Sequence, residues 1–357
     1  MKLSVELNST ALIATNPSAV AVAPALVSDT LYWQIVGFLL ALNILVGLFA
    51  TGSNIVTIII YTKMGFADST NISLTALAVS DLGSAVTAVV CTLGLCSPKI
   101  PNVWFTFEIF TIFASQPHLM FSRISALITT YISIERYLCV WLPLKIKRII
   151  TPKRTCVAMI IIFALPFALN LHLALSFPIG WKFYPERNRS LLGVLPIKYP
   201  FIEDLDNFRR LLFSVPLPLA TAAIVFTCTI LLGFALHKNK KWRDTNKHTS
   251  SNASSKKEDS SNAAAAVKSK EARAVERVIA ITTVFIITSI PSCMHVFAVM
   301  TVPEFSVYGS YANLYLLLGV SYMVVDSINC SANVVIYYKM STKFRYAMLS
   351  LFCGNSQ

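Results

Sequence analysis

The chain is 357 residues long, 55% hydrophobic and 13% charged, with a formal net charge of +13. Soluble domains carry about 25% charged residues, so this chain lacks the polar surface that a water-soluble protein of its size needs. Five uncharged stretches, 32–62, 82–98, 155–181, 211–236 and 278–303, approach or exceed the ~20 residues a helix needs to cross a ~30 Å hydrocarbon core. The composition is that of a polytopic membrane protein.

Along the chain, residues 1–31 form a tail. Its weakly apolar run, Ala11–Val27, is interrupted by Asn16-Pro17 and lacks a basic start, so it reads as a tail and not as a signal peptide. Seven helices follow, at roughly 32–61, 71–95, 106–139, 156–178, 209–236, 272–300 and 310–338. Within two of these spans, 109–134 is apolar except for Arg123 and 310–338 is apolar except for Asp326. The seven-helix body is thus 32–340, and the segment 237–271 between helices five and six, rich in Ser, Asn, Ala and Lys, is expected to be largely disordered. Residues 341–357 hold Phe344, Met348 and Leu351 at i, i+4 and i+7, the spacing of a short amphipathic helix on the membrane surface, with Cys353 as a palmitoylation candidate. The expected fold class is an all-α membrane protein, a seven-transmembrane helix bundle with a short amphipathic eighth helix.

Orientation follows from Lys and Arg. The segments on the N-terminal side of the membrane balance eight Lys/Arg against eight Asp/Glu, while the opposite side carries 21 against seven. The positive-inside rule then places the N-terminus outside. The basic charge faces cytoplasm and anionic lipid, which removes nucleic acid as its explanation. Asn8 and Asn188 fall outside as glycosylation acceptors in Asn8-Ser9-Thr10 and Asn188-Arg189-Ser190. The eight cysteines lie mostly in apolar stretches and do not form the framework of a secreted domain. The chain has no His-Glu-x-x-His, Gly-x-x-x-x-Gly-Lys or Cys-x-x-Cys pattern, so the usual metal and phosphate-loop enzymes lack support, and no enzyme activity or cofactor is expected.

Polar side chains inside a bilayer are costly, and each needs a reason. Asp81 lies within the second span, Asn54 within the first, and Asp326, Asn329 and Asn333 follow helical spacing in the seventh. On the third helix His118, Ser122, Ser125, Thr129 and Arg136 stay within about 40° of one line, a stripe that faces the bundle interior. Ser and Thr on such a stripe serve either as helix–helix glue or as a site. Arg123 points about 140° away from His118, towards helices four and five.

With Glu135-Arg136-Tyr137 at the inner end of helix three, this pattern resembles the rhodopsin-like G-protein-coupled receptors over roughly 32–352. Gly52-Ser53-Asn54, Leu77-Ala78-Val79-Ser80-Asp81, Pro218, Pro291 and Asn333-Val334-Val335-Ile336-Tyr337 resemble that family's helix motifs in order. Val334 stands where the family has proline, and Ser289 replaces its aromatic switch residue. The family's outer disulfide lacks both partners: Thr111 occupies the helix position, and the loop 179–210 has no Cys. Ser327 occupies the retinal-lysine position, which argues against an opsin, and His118 the amine-binding position, which argues against an aminergic receptor.

The resemblance implies a plasma-membrane receptor that binds an extracellular ligand and activates a heterotrimeric G protein. Gly65–Leu74, Arg123–Ala126, Glu135–Val140 and Pro143–Arg154 resemble molluscan chemosensory receptors, and peptide receptors of the FMRFamide type share part of this. By the same resemblance, His118, Ser122, Arg123, Ser289 and Asp326 are ligand-binding candidates. Asp81, Ser125, Asn329 and Asn333 match a sodium site, for which a hydrogen-bonded network without an ion is the alternative. Glu135, Arg136, Tyr137, Pro291 and Tyr337 are switch candidates, with Glu271, twenty residues before Pro291, as the acidic partner of Arg136. An ion-coupled transporter is the competing class, disfavoured because neither half of the chain repeats the other.

Overall fold

The computed structural model describes residues 28–96, 106–185, 188–195, 200–213, 216–249, 258–306 and 309–352. Seven long helices form the bundle: α1 (Asp29–Met64), α2 (Ser69–Cys96), α3 (Gln116–Trp141), α4 (Pro152–Ser176), α5 (Pro216–Thr249), α6 (Glu258–Thr301) and α7 (Ala312–Met340), followed by α8 (Thr342–Phe352). Segments long and apolar enough to cross a bilayer run through α1, α2, α4, α5, α6 and α7. The remaining helix, α3, carries Arg123, Glu135 and Arg136 and packs against α2, α4, α5 and α6. Surrounding helices let α3 hold polar groups that lipid would reject. Further packing of α1 on α2 and α7, and of α6 on α5 and α7, closes the ring.

The joint between α1 and α2 shows how local chemistry sets a boundary. Gly65 ends α1 with φ 81°, a left-handed conformation that glycine adopts without a Cβ clash. Its carbonyl accepts from Asn71 Nδ2 at 2.8 Å, while Asp68 Oδ1 accepts from the Thr70 N–H at 3.0 Å and caps the start of α2.

The main core lies where α1, α2, α3, α6, α7 and α8 converge, with Ile60, Leu77, Ile124, Ile128, Val278 and Phe344 among its buried residues. Phe344 is fully buried, and its ring lies 5.5 Å from both Tyr61 and Tyr337, which docks α8 on the bundle. Phe38, Leu45, Leu171, Phe234 and Phe297 are exposed on the outer faces, as lipid-facing positions should be.

Several sequence-based expectations need correction. The third helix is not uniform from 106: a short helix Phe107–Phe110 and a π-helical turn Thr111–Ser115 precede α3. Pro117 lies in the first turn of α3 and has no N–H to donate, so the ladder is already broken where the π turn sits. The fifth span is also divided, with a separate helix Pro200–Phe213 ahead of α5, which starts at Pro216.

The segment 237–271, expected to be disordered, is helical up to Thr249 and again from Glu258, with 250–257 outside the described residues. The run Ala263–Ala266 explains part of this, because alanine has the highest helix propensity. The all-α bundle holds as expected, and one small hairpin is added to it outside the helices. Strands β1 (Ile179–Tyr184) and β2 (Arg189–Val194) form an antiparallel hairpin, with Ile179 paired to Val194 and Tyr184 to Arg189. The tail 1–27 with Asn8, and Cys353, lie outside the described residues.

Candidate functional site

Polar side chains of α2, α3 and α7 meet along the bundle axis in three layers. The innermost surrounds Arg136. Its Nη2 donates to Glu135 Oε1 at 3.1 Å and to Thr70 Oγ1, and Ser69 Oγ donates to the same Glu135 oxygen at 3.2 Å. Glu135 is 2% exposed, so the neighbouring cation and hydroxyl offset the cost of burying its charge. Arg136 is therefore tied to the start of α2. The side chain of Glu271 lies outside the described ones. Tyr137 stacks on Trp141, with ring centroids 6.2 Å apart and planes at 10°. Tyr337 is buried against Tyr61, and Pro291 sits inside α6.

The middle layer is built on Asp81, which is completely buried. Ser125 Oγ donates to Oδ1 at 2.6 Å and Asn333 Nδ2 to Oδ2 at 2.8 Å, joining α2, α3 and α7 through one carboxylate. Asn54 bridges α1 to α7 by donating to the carbonyls of Ala50 and Cys330 at 2.9 and 3.0 Å. Asn329, grouped with Asp81 by sequence, lines the cavity beside this layer.

The outer layer gathers around Asp326. Ser84 Oγ donates to Oδ2 at 2.8 Å and Ser122 Oγ to Oδ1 at 3.0 Å, while the Tyr322 hydroxyl lies 2.8 Å from Ser122 Oγ. His118 Nδ1 lies 3.1 Å from both the Ser84 hydroxyl and the Ser84 carbonyl, and Nε2 is 3.8 Å from Asp326 Oδ2 without a hydrogen bond. A carbonyl can only accept, so the proton belongs on Nδ1. Beside this layer opens a cavity walled by α3, α5, α6 and α7, including Ser122, Arg123, Thr221, Ser289, Tyr322 and Asp326.

Two placements differ from the sequence reading. His118 is 2% exposed and packs behind Asp326, so it supports the carboxylate without facing the opening. Arg123, named as a ligand-binding candidate although its direction pointed towards helices four and five, lines the same cavity as Ser122 and Asp326. The angle from His118 was right for a straight helix, but α5 and α6 come close enough to wrap that face as well. Ser289 lines the cavity while its hydroxyl donates back to the Phe285 carbonyl at 2.6 Å.

Sequence reasoning missed Ser84 and Tyr322, although they stand three residues from Asp81 and four from Asp326, the spacings that share a helix face. It also missed a network in which Asn43 Nδ2 donates to Thr92 Oγ1 at 2.6 Å and Ser327 Oγ to Asn43 Oδ1 at 2.8 Å. Asn43 falls three turns before Asn54 on the same face of α1, which was the available signal.

A family model described as 7 transmembrane receptor (rhodopsin family) matches residues 52–337, from the first-helix motif to Tyr337. The chain belongs to that family, the G-protein-coupled receptors, and is a multi-pass membrane protein. No curated protein matches it.

Proposed function

We propose that this receptor binds an extracellular chemosensory cue in the cavity beside Asp326 and activates a heterotrimeric G protein at its inner face, with the N-terminus outside the cell. The observation that supports this most is the polar column itself. Ser122, Ser125 and Arg136 follow one line on α3 and connect the cavity, the Asp81 layer and the inner mouth. A ligand that changes how α3, α6 and α7 pack around the cavity thus acts on groups stacked directly above Arg136. The chemosensory role rests on the resemblance of the helix-three and neighbouring loop segments.

The test is ligand-stimulated nucleotide exchange on purified G protein by receptor in vesicles, run beside solute flux into the same vesicles. Exchange without flux is expected, and flux without exchange would replace the receptor reading with a transporter. With an active ligand in hand, Ser122→Ala should right-shift its dose response at normal surface expression, and unchanged potency would remove Ser122 from the site. Expression confined to central neurons, with none in sensory epithelium, would favour a peptide transmitter over an environmental cue.

At the Asp81 layer the same reading includes a sodium ion. One carboxylate with hydroxyl and amide oxygens nearby is a hard-donor set, and an ion held there would favour the inactive packing.

A further inference from the structure

The cavity carries one unmatched charge. Arg123 is the only cation among the residues lining it, and Asp326 the only anion. The two do not pair: among the described residues Arg123 has no ion-pair partner within 4.0 Å and no hydrogen bond. Cys293 of α6 and Tyr322 of α7 line the cavity with it, so Arg123 of α3 shares this wall with both helices. Asp326, by contrast, has both oxygens occupied by serine hydroxyls and a histidine ring close behind. The unmet demand in this half-enclosed space is therefore for negative charge.

We propose that the ligand carries a carboxylate that Arg123 binds, and that this pairing sets the receptor's chemical selectivity. This rests on the cavity being the ligand site, as argued above. A guanidinium presents a planar fork that matches a carboxylate with two parallel hydrogen bonds. In a cavity walled by α5 and α6, such a pair is screened less than on an open surface. A monoanion fits better than a phosphate monoester, because a second negative charge would find no second cation and would face Asp326. Ser289, Thr288 and Thr221, also on the wall, supply hydroxyls for the rest of a small polar molecule.

The experiment uses the full chain, purified in lipid nanodiscs, and follows its thermal unfolding midpoint. The probes are small monocarboxylates, each paired with its own carboxamide, with alkyl sulfonates and phosphate monoesters as further arms. At least one carboxylate should raise the midpoint, and its amide should need about 30-fold higher concentration to match it. Arg123→Gln should erase the preference for acid over amide, while Arg123→Lys, which keeps the charge and loses the fork, should retain a reduced one.

The proposal is overturned if no carboxylate stabilises the wild type, if amides match acids, if phosphate monoesters outperform both, or if the preference survives Arg123→Gln. Should Arg123→Gln fail to fold, the wild-type and Arg123→Lys comparisons decide the matter alone. Nucleotide exchange is measured separately. A carboxylate that binds without promoting exchange leaves this site standing and removes the signalling reading, whereas a neutral agonist whose potency ignores Arg123 does the reverse.

Discussion

Asp81 is the residue at which sequence and structure can be compared most directly. A carboxylate at membrane depth demands donors, and that demand was legible in the sequence alone. Which donors answer it was legible for Ser125 and Asn333 because both lie on helix faces fixed by spacing. Asn329 lines the cavity one turn of α7 away from Asn333, the residue that donates to Asp81. The sodium proposal gives a measurement at this scale. Agonist affinity in wild type should fall when sodium replaces a bulky organic cation, and Asp81→Asn should make it insensitive to the exchange. Wild-type affinity that ignores sodium would leave Asp81 as a purely hydrogen-bonded group. In that case Ser125→Ala still removes a buried partner at 2.6 Å and should cost about 1–3 kcal/mol of stability.

At the scale of elements, the hairpin is the least expected feature and answers a question raised by the sequence. Related receptors hold the outer end of helix three to the following loop with a disulfide, and this chain has neither cysteine. The Thr106 N–H instead donates to the Leu192 carbonyl at 2.9 Å, just ahead of Phe107–Phe110, so β2 is attached there through its backbone. Leu191 and Val194 are 2% and 4% exposed on the same strand, while Trp181 and Phe183 of β1 face outward. One strand is thus the packed one and the other its cover.

The hairpin was not legible because β pairing depends on register between two segments, whereas membrane helices announce themselves by local composition. Leu191→Ala should destabilise the folded receptor by about 2–5 kcal/mol, which is checked as a lower thermal midpoint and reduced surface expression. A reducing agent should leave the wild-type midpoint unchanged if this non-covalent attachment stands in for the staple. An unaltered midpoint in Leu191→Ala would show that the hairpin merely rests on the bundle.

For the whole molecule, the question is what keeps α6 against the bundle at the inner face. The sequence points to Arg136 and Glu271. The structure engages Arg136 with Glu135 and Thr70, which ties α3 to α2. On α6, Arg277 lies near the buried phenols of Tyr61 in α1 and Tyr337 in α7. Both phenol oxygens and Arg277 Nε are buried without a hydrogen bond, so a small inward shift of any of these side chains would satisfy them together, and an outward swing of α6 would expose them to water. Arg277→Ala should therefore raise ligand-independent nucleotide exchange at matched surface expression, and Arg136→Ala should abolish coupling while ligand binding persists. If basal exchange stays flat in Arg277→Ala and rises in Glu271→Gln, then α6 is held through Arg136, and the tyrosine cluster serves only to dock α8.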